Sequence, residues 1–411
     1  MTEAVALLRS TTAVRERAGG LLARAREGGS AEFLVVDSRL DSAAEEVAAV
    51  TRSRYPSLEI PYHSRWRHFE AGGVDRRRAL DERLGDADAA ERARAQIDLA
   101  LVSVLLDAGA GPAWSYREPG TGLVLTRSEG LGVASFHAFI DGHFSSDPSK
   151  PLQVDAAALG RMRAAELARA LQVDAGNPLV GLEDRTALLR RLGGALAEAP
   201  AVYGADRRPG GLFDHALRQR ALEVGGRPGP LQAHDLLVTL LETLASVWNT
   251  GNVLDGQPLG DCWHHDAVPG AGASAGWVPF HKLSQWLCYS LLEPFAWAGH
   301  PVAGLEALTG LPEYRNVGLL IDSGVLRPRD PQFAARPRAV GEAFVVEWRA
   351  LTVALLDELA PRVRSVLGVP PERMPLACVL EGGTWAAGRA LARHLRNGLP
   401  PVNIVSNGTV F

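Results

Sequence analysis

The residues of this chain that could do chemistry gather in a few short stretches. One is Glu313-Tyr314-Arg315-Asn316. Pro312 suits a first helical position, because its missing N–H would be unpaired there anyway. Glu313 then falls in the first turn, at the positive end of the helix dipole, which favours an ionised carboxylate. A carboxylate fixed there can take a proton from water and stabilise a developing cation. It can equally do no more than complement the dipole, with Arg315 in a surface pair. A second stretch supplies Lys282 and Gln285, which with Tyr289 follow i, i+3, i+7 spacing and share one helix face. The chain has 43 Lys plus Arg, yet Lys150 and Lys282 are its only lysines. A compact ammonium is kept at 282 where a planar guanidinium would not serve.

Three further stretches raise the same question. Tyr62-His63-Ser64-Arg65-Trp66-Arg67-His68-Phe69 packs two arginines and two histidines among aromatics. Arginine forks such as Arg65 suit phosphate or carboxylate, and Trp66 can stack on a planar group. The plain alternative is a loop plug with buried aromatics and paired arginines. Asp261-Cys262-Trp263-His264-His265-Asp266 holds three metal-ligand types, but adjacent histidines diverge and no HxH or HxxxH spacing supports them. No metal site is therefore expected, and Asp261 or His264 reads better as an acid on a loop. Gly382-Gly383-Thr384-Trp385 precedes a helix carrying Arg389, and Pro209-Gly210-Gly211 precedes another. Glycine turns at helix starts can cradle phosphate through backbone N–H groups. Neither fits the P-loop or GxGxxG pattern, and no cofactor fingerprint is visible. His137 and Asp141, at i, i+4, read as an ordinary side-chain pair. Arg76-Arg77-Arg78 reads as a solvated loop run.

The elements that must position these residues are mostly helices. Helices are expected over 2–27, 40–53, 88–108, 155–171, 182–199, 211–223, 232–248, 279–297, 341–367 and 384–397, with a short one from Pro312 to Gly324. Ser128 is a plausible N-cap for a helix through Ile140. A strand is expected at 33–36, and WSYREPGTGLVLT suggests a β-hairpin around Pro119-Gly120. Residues 249–276 read as a long loop, of the kind that is usually a lid or disordered. Asn407-Gly408 is a turn signal. The fold class is mainly α, a multi-helix globular enzyme with a few short strands. It reads as one domain over 1–411, or as two lobes at about 1–230 and 231–411.

The 411 residues are 46% hydrophobic and 22% charged, ordinary for a globular chain with a sizeable core. A net charge of −4 gives no sign of a general nucleic-acid or anionic-membrane binder. Three widely spaced cysteines without a CxxC pair suit reduced thiols in a cytoplasmic protein. The N-terminus lacks the basic region and apolar core of a signal peptide. No run approaches the roughly 20 apolar residues of a membrane span.

The runs PYHSRWRHFEAGG, RSEGLG, VPFHKLSQWLCYSLLEPF, LTGLPEYRNVGLLIDSGVL, EGGTWAAGR and the terminal SNGTVF resemble the Urc-four/Urg-three family of uracil catabolism. The resemblance spans about Asp37 to Phe411. It departs at Asn407, where the family has Asp before Gly-Thr-Val-Phe. Over 280–326, the order Lys-x-x-Gln, aromatic helix, Leu-Thr-x-x-x-acid-Tyr-Arg is also similar to queuosine-salvage nucleoside hydrolases. Those are helical N-glycosidases with a fold like DNA glycosylases, whose essential acid precedes the Tyr-Arg pair. Here that position is Glu313, a glutamate where the likeness implies aspartate.

Together the resemblances imply a hydrolase in a ring-opening route of uracil breakdown. Its small-molecule substrate would be a ribosylurea or its 5′-phosphate, split at the N-glycosidic bond to urea and the sugar. They imply Glu313 as the water-activating carboxylate; urea leaves poorly as an anion, and Asp261 is the residue chosen here as the acid that protonates it. Lys282, Arg315 and Arg65 would contact phosphate or ribose, and Trp286 would wall the pocket. Gln285, Tyr314, Asn316, Trp66, His68, Trp385 and Arg389 complete the candidate binding set. Two alternatives stand beside this one: a non-catalytic ligand-binding or regulatory partner of the route, and a metal-dependent amidohydrolase acting on the urea end.

Overall fold

The computed structural model describes residues 2–107, 109–223, 229–269 and 272–405. Its regular structure is mainly α-helical, and among the described residues no sheet has more than two strands. The Asn407-Gly408 turn and the whole SNGTVF terminus lie outside the described residues. The first half supplies α1 (Thr11–Arg26), α2 (Leu40–Arg54), the single turn α3 (Trp66–Phe69), α4 (Ala89–Leu106) and α5 (Arg127–Ile140). The second half supplies α6 (Lys282–Trp297), α7 (Tyr314–Asp322), α8 (Ala343–Leu367) and α9 (Trp385–Arg396). A helix apolar on every side must be buried. In α4 every residue from Ala95 to Leu106 is buried, and in α6 every residue from Leu283 to Leu292. These two pack on each other, while α8 packs against α1 and α2, and α7 against α9. One apolar core draws on residues from Leu22 to Ile404. No described helix is long and apolar enough to cross a membrane.

Several local readings change for physical reasons. The helix expected over 2–27 breaks at Arg9-Ser10, where the Ser10 side chain accepts from the Ala13 N–H and starts α1 anew. Thr126, not Ser128, is the N-cap of α5. The region 249–276 is not one long loop: it holds a hairpin of Val253–Leu254 with Gln257–Pro258 and the strand Cys262–His264. Asp255 and Gly256 both have positive φ, the turn that suits a tight two-residue hairpin. Farther on, Cys262–His264 (β2) pairs antiparallel with Trp277–Pro279 (β3). Phe33–Val35 (β1) pairs antiparallel with Leu326–Pro328 (β4), tying the chain start to the exit of α7. Gly382 and Gly383 do not open a helix. They lie inside a π-helical turn, Leu380–Thr384, that runs straight into α9. A Cβ on Gly383 would meet Val47 of α2 at 2.6 Å, so the glycines allow close packing and cradle no phosphate.

Arg76 is not solvated. It is fully buried on Glu118, with both guanidinium contacts at 2.6 Å. His137 also bonds Glu118, at 3.0 Å, and not Asp141. Gly210 donates to the buried Asp98 at 2.6 Å, so the anion at that glycine turn is a side chain of the protein itself.

The docking of α3 follows from one proline. Pro294 lies inside α6 and has no N–H for the Ser290 carbonyl. The Trp66 indole N–H fills that role at 2.9 Å, while the Ser290 hydroxyl accepts from the Arg65 backbone N–H at 2.9 Å. Trp66 is thereby buried edge-on against Phe69 and Trp297. Trp66→Phe is expected to leave the Ser290 carbonyl without a donor and to cost about 1–3 kcal/mol. Urea unfolding would register this as a lower midpoint at unchanged slope. A wild-type midpoint would mean that another donor reaches the carbonyl.

Candidate active site

The start of α6 is set by Asp261. His281, the residue before the helix, has φ 49° and bonds the Leu8 carbonyl at 2.8 Å. That turn delivers the Lys282 backbone N–H to Asp261 at 3.0 Å. Asp261 also accepts two bonds from Arg349, at 2.8 and 2.7 Å, and one from the Trp263 indole at 2.8 Å. Burial works to raise its pKa. The charge and hydrogen bonds of Arg349, with those of Lys282 and Trp263, outweigh burial and leave it below the ordinary carboxylate range. Asp261 therefore has no proton to give, and the general-acid role read from the sequence does not suit it. It is a buried strut that fixes the start of α6 beneath Lys282.

Lys282 is half-buried, and among the described residues its ammonium makes no hydrogen bond. Burial lowers its pKa, and the strongest opposing influence is the negative charge of Glu313. Asp107 and Asp261 act on it in the same sense as Glu313. Gln285 does not face open space as its spacing suggested. It is fully buried, donating to the Phe280 carbonyl at 3.1 Å and to the Thr309 hydroxyl at 2.5 Å, and accepting from the Thr309 N–H at 2.8 Å. Tyr289 donates to the Thr309 carbonyl at 3.1 Å. This face of α6 thus clamps the segment that leads to Glu313.

Glu313 is the N-cap of α7 rather than a member of its first turn. Its two oxygens accept the N–H groups of Asn316 at 2.7 Å and Arg315 at 2.9 Å. Each oxygen keeps a second lone pair. Asn316 donates to the Leu311 carbonyl at 2.9 Å, and its buried Oδ1 has no partner. Tyr314 is half-buried, and burial pushes its phenol up to about 12. Arg315 reaches the Gly398 carbonyl at 3.4 Å; burial lowers its pKa and Glu313 opposes this.

A second polar cluster adjoins Trp286. Arg65 is fully buried, bonded to Asp107 at 3.0 Å and to the Ser103 hydroxyl at 2.6 Å, with its guanidinium 5.6 Å from the Trp286 ring. The His68 ring lies 5.7 Å from Trp286, edge to face. Four buried polar atoms here have no partner among the described residues: Arg65 Nη2, His68 Nδ1, Asp107 Oδ1 and Trp286 Nε1. Most buried polar groups in folded proteins are hydrogen-bonded, so four open ones in one cluster single it out as a candidate ligand site. His68 also lines a cavity of about 510 Å³ with His63, Glu129, Glu381, Trp385 and Arg389. Arg389 bonds Glu129 at 2.6 Å and stands 5.1 Å from the Trp385 ring. Burial works to raise Glu129, but the Arg389 hydrogen bond and charge leave it below its ordinary value.

The structure thus groups Trp286, Arg65 and His68, with Lys282 one helical turn before Trp286 and under the charge of Glu313, and it puts Trp385 and Arg389 in the cavity with His68. It turns Trp66 away into the core and uses up Gln285 and Asp261. The sequence reading missed Asp107, Glu129 and Glu381. Asp107 carried a signal, as the first polar residue after the apolar run of α4. Among the described residues no group of three or more His, Cys, Asp or Glu side chains is placed to hold a metal. His264 is exposed beside Asp266, and His265 is buried 3.8 Å from Glu347. All three cysteines are free and buried.

Comparison with known proteins matches residues 7–411 to a family described as protein of unknown function, DUF1688. The chain is 35% identical to Uracil catabolism protein 4 of Lachancea kluyveri, over 99% of both chains. It is 39% identical to Protein urg3 of Schizosaccharomyces pombe, over 100% of both chains. The resemblance read from the motifs is borne out across the whole chain.

Burial, then the nearby Arg65 charge, lowers His68 to about 4. Between that value and the ordinary 6.5 the unfolded chain binds more protons than the folded one. Stability contributed by the neutral ring is therefore complete above pH 6.5 and is lost as pH falls toward 4. The ring should titrate near pH 4 by NMR, and His68→Gln should flatten the fall in stability across that window. Titration near 6.5 would mean that the cluster is hydrated.

Proposed function

The chain belongs to the DUF1688 family, and from that premise we propose that it acts in uracil catabolism, as its relatives' names suggest. We further propose that it hydrolyses the N-glycosidic bond of a ribosylurea, or of its 5′-phosphate, releasing urea. The observation that carries the reading is the cluster of buried atoms around Trp286, one helical turn from Lys282, that have no partner among the described residues. Arg65 Nη2 and Trp286 Nε1 offer hydrogens and ask for acceptor oxygens. Asp107 Oδ1 asks for an N–H or O–H. A ureido group, a carbonyl flanked by N–H groups, offers both, as do ribose hydroxyls.

Glycosidic cleavage passes through a cation-like sugar. Glu313, held in place by two backbone N–H groups, supplies negative charge beside that cation and a lone pair for a proton of the attacking water. The Lys282 ammonium, which makes no hydrogen bond among the described residues, takes a sugar hydroxyl or a phosphate oxygen. Trp286 closes one wall. Arg389 lines the cavity. A second reading, a ligand-binding partner without chemistry, draws on one observation: both Glu313 oxygens already serve as a helix cap.

Glu313→Gln separates the two. On the hydrolase reading, urea release falls by about 10²–10⁴ while ribosylurea still binds. As a mere dipole complement, the change costs only about 0.3–1 kcal/mol of stability. Urea release, affinity and melting temperature would be measured on the same variant, with ribosylurea and its 5′-phosphate as ligands. Binding without turnover by the wild-type protein would favour the partner reading.

A further inference from the structure

Urea is a poor anionic leaving group, so the departing nitrogen must receive a proton, and Asp261 is locked as a carboxylate under Arg349. The cavity beside Trp286 holds another arrangement. His63 is buried, with its backbone N–H on the Ala377 carbonyl at 3.0 Å. Its Nδ1 lies 2.9 Å from Glu381 Oε2. The other Glu381 oxygen accepts from Arg54 at 2.8 Å and from the Tyr55 hydroxyl at 3.0 Å. Burial would raise Glu381, but His63 and Arg54 together hold it down at about 2, so it is a carboxylate under ordinary conditions. A carboxylate on one ring nitrogen fixes the tautomer and stabilises the imidazolium, leaving the other nitrogen to exchange protons with a substrate.

That other nitrogen, Nε2, makes no hydrogen bond among the described residues. The ring lies 6.3 Å from Trp385, which lines the same cavity, and 6.4 Å from Trp286. Glu381 is carried on the π-helical turn before α9, a wide turn of a type often found at functional sites. The dyad joins the 62–69 segment to the last helical region, which serves no packing need that an apolar pair could not meet.

We propose that His63, oriented by Glu381, is the general acid that protonates the leaving nitrogen; this rests on the glycosidase reading above. Water attacks the anomeric carbon and gives one proton to Glu313. The carbon–nitrogen bond breaks and its electron pair stays on nitrogen. The Nε2 proton of the His63 imidazolium passes to that nitrogen, so urea departs neutral. One proton returns from Glu313 to the imidazole through solvent, and the sum is addition of water. His63 is the catalytic residue here; Glu381, Arg54 and Tyr55 are positioning residues.

The test compares two leaving groups. Ribosylurea needs protonation, whereas p-nitrophenyl riboside releases a stable phenolate without it. His63→Gln is expected to lose about 10²–10⁴ in rate on ribosylurea and far less on p-nitrophenyl riboside. Glu381→Gln should show the same selectivity with a smaller loss. Glu313→Gln should lose both substrates together. On the wild-type enzyme, which needs no variant to fold, rates across ribosides of rising leaving-group basicity should fall only shallowly. Equal losses on both substrates, or a steep wild-type dependence, would overturn the acid role while leaving the glycosidase reading in place. Wild-type protein that cleaves neither substrate would overturn both.

Discussion

A guanidinium taken out of water has to bring its partners with it. This chain is rich in arginine, and four of its arginines are almost wholly buried: Arg65, Arg76, Arg185 and Arg349. Three of them hold a carboxylate far away in sequence, Asp107, Glu118 and Asp261. Arg185 instead takes the carbonyls of Leu106 at 3.1 Å and Gly109 at 3.2 Å, the unpaired end of α4. Asp107 stands between Arg65 and Arg185 and acts on both charges. The end of α4, the 62–69 segment and the approach to α10 (Leu182–Glu198) are therefore fixed to one another by charge. Apolar packing alone would tolerate small slides among these helices.

The same constraint explains why the site stands out. Where the pairing is complete, as at Asp261 and Glu118, every oxygen is accounted for and the group is silent. Around Trp286 it is incomplete: Arg65 spends three of its contacts on Asp107, Ser103 and the Ser128 carbonyl and keeps Nη2 unbonded. An unmade hydrogen bond in a dry place costs about 1–3 kcal/mol, so leaving several together is expensive unless a ligand completes them. Desolvation acts in the same direction by keeping His68 neutral beside Arg65. Electrostatic contacts to a bound substrate are strengthened there for the same reason.

The sequence made the helical architecture legible because the apolar runs of α4, α6 and the first half of α8 are long and buried on all sides. The family motifs and the rare lysine pointed to α6 and to Glu313. What stayed hidden was which charge meets which. Asp261 lay in a run with metal-ligand residue types, and only the fold places Arg349 on it. Gly382-Gly383 looked like the start of a helix because glycine marks both turns and close approaches; Val47 across the gap decides which. Asp255-Gly256 was a hairpin signal overlooked inside a stretch read as one loop. Asp107 and Glu381 lack any local pattern that separates them from surface acids. Their meaning comes from Arg65 and His63, which are 42 and 318 residues distant in number.

The contrast between Asp261 and Glu313 shows why a lysine belongs at 282. Arg349 grips Asp261 with both fork nitrogens, and the carboxylate is saturated. An arginine at 282 would present the same fork toward Glu313, whose oxygens already take two backbone N–H groups. Glu313 would then be locked as Asp261 is, with no lone pair left for water. The ammonium of Lys282 is a point charge on a flexible stem. It offsets the charge of Glu313 without imposing a bidentate geometry, and the carboxylate keeps the open lone pairs that the proposed role toward water requires. In a chain that answers nearly every other call for positive charge with arginine, position 282 is one where the fork itself would be the obstacle.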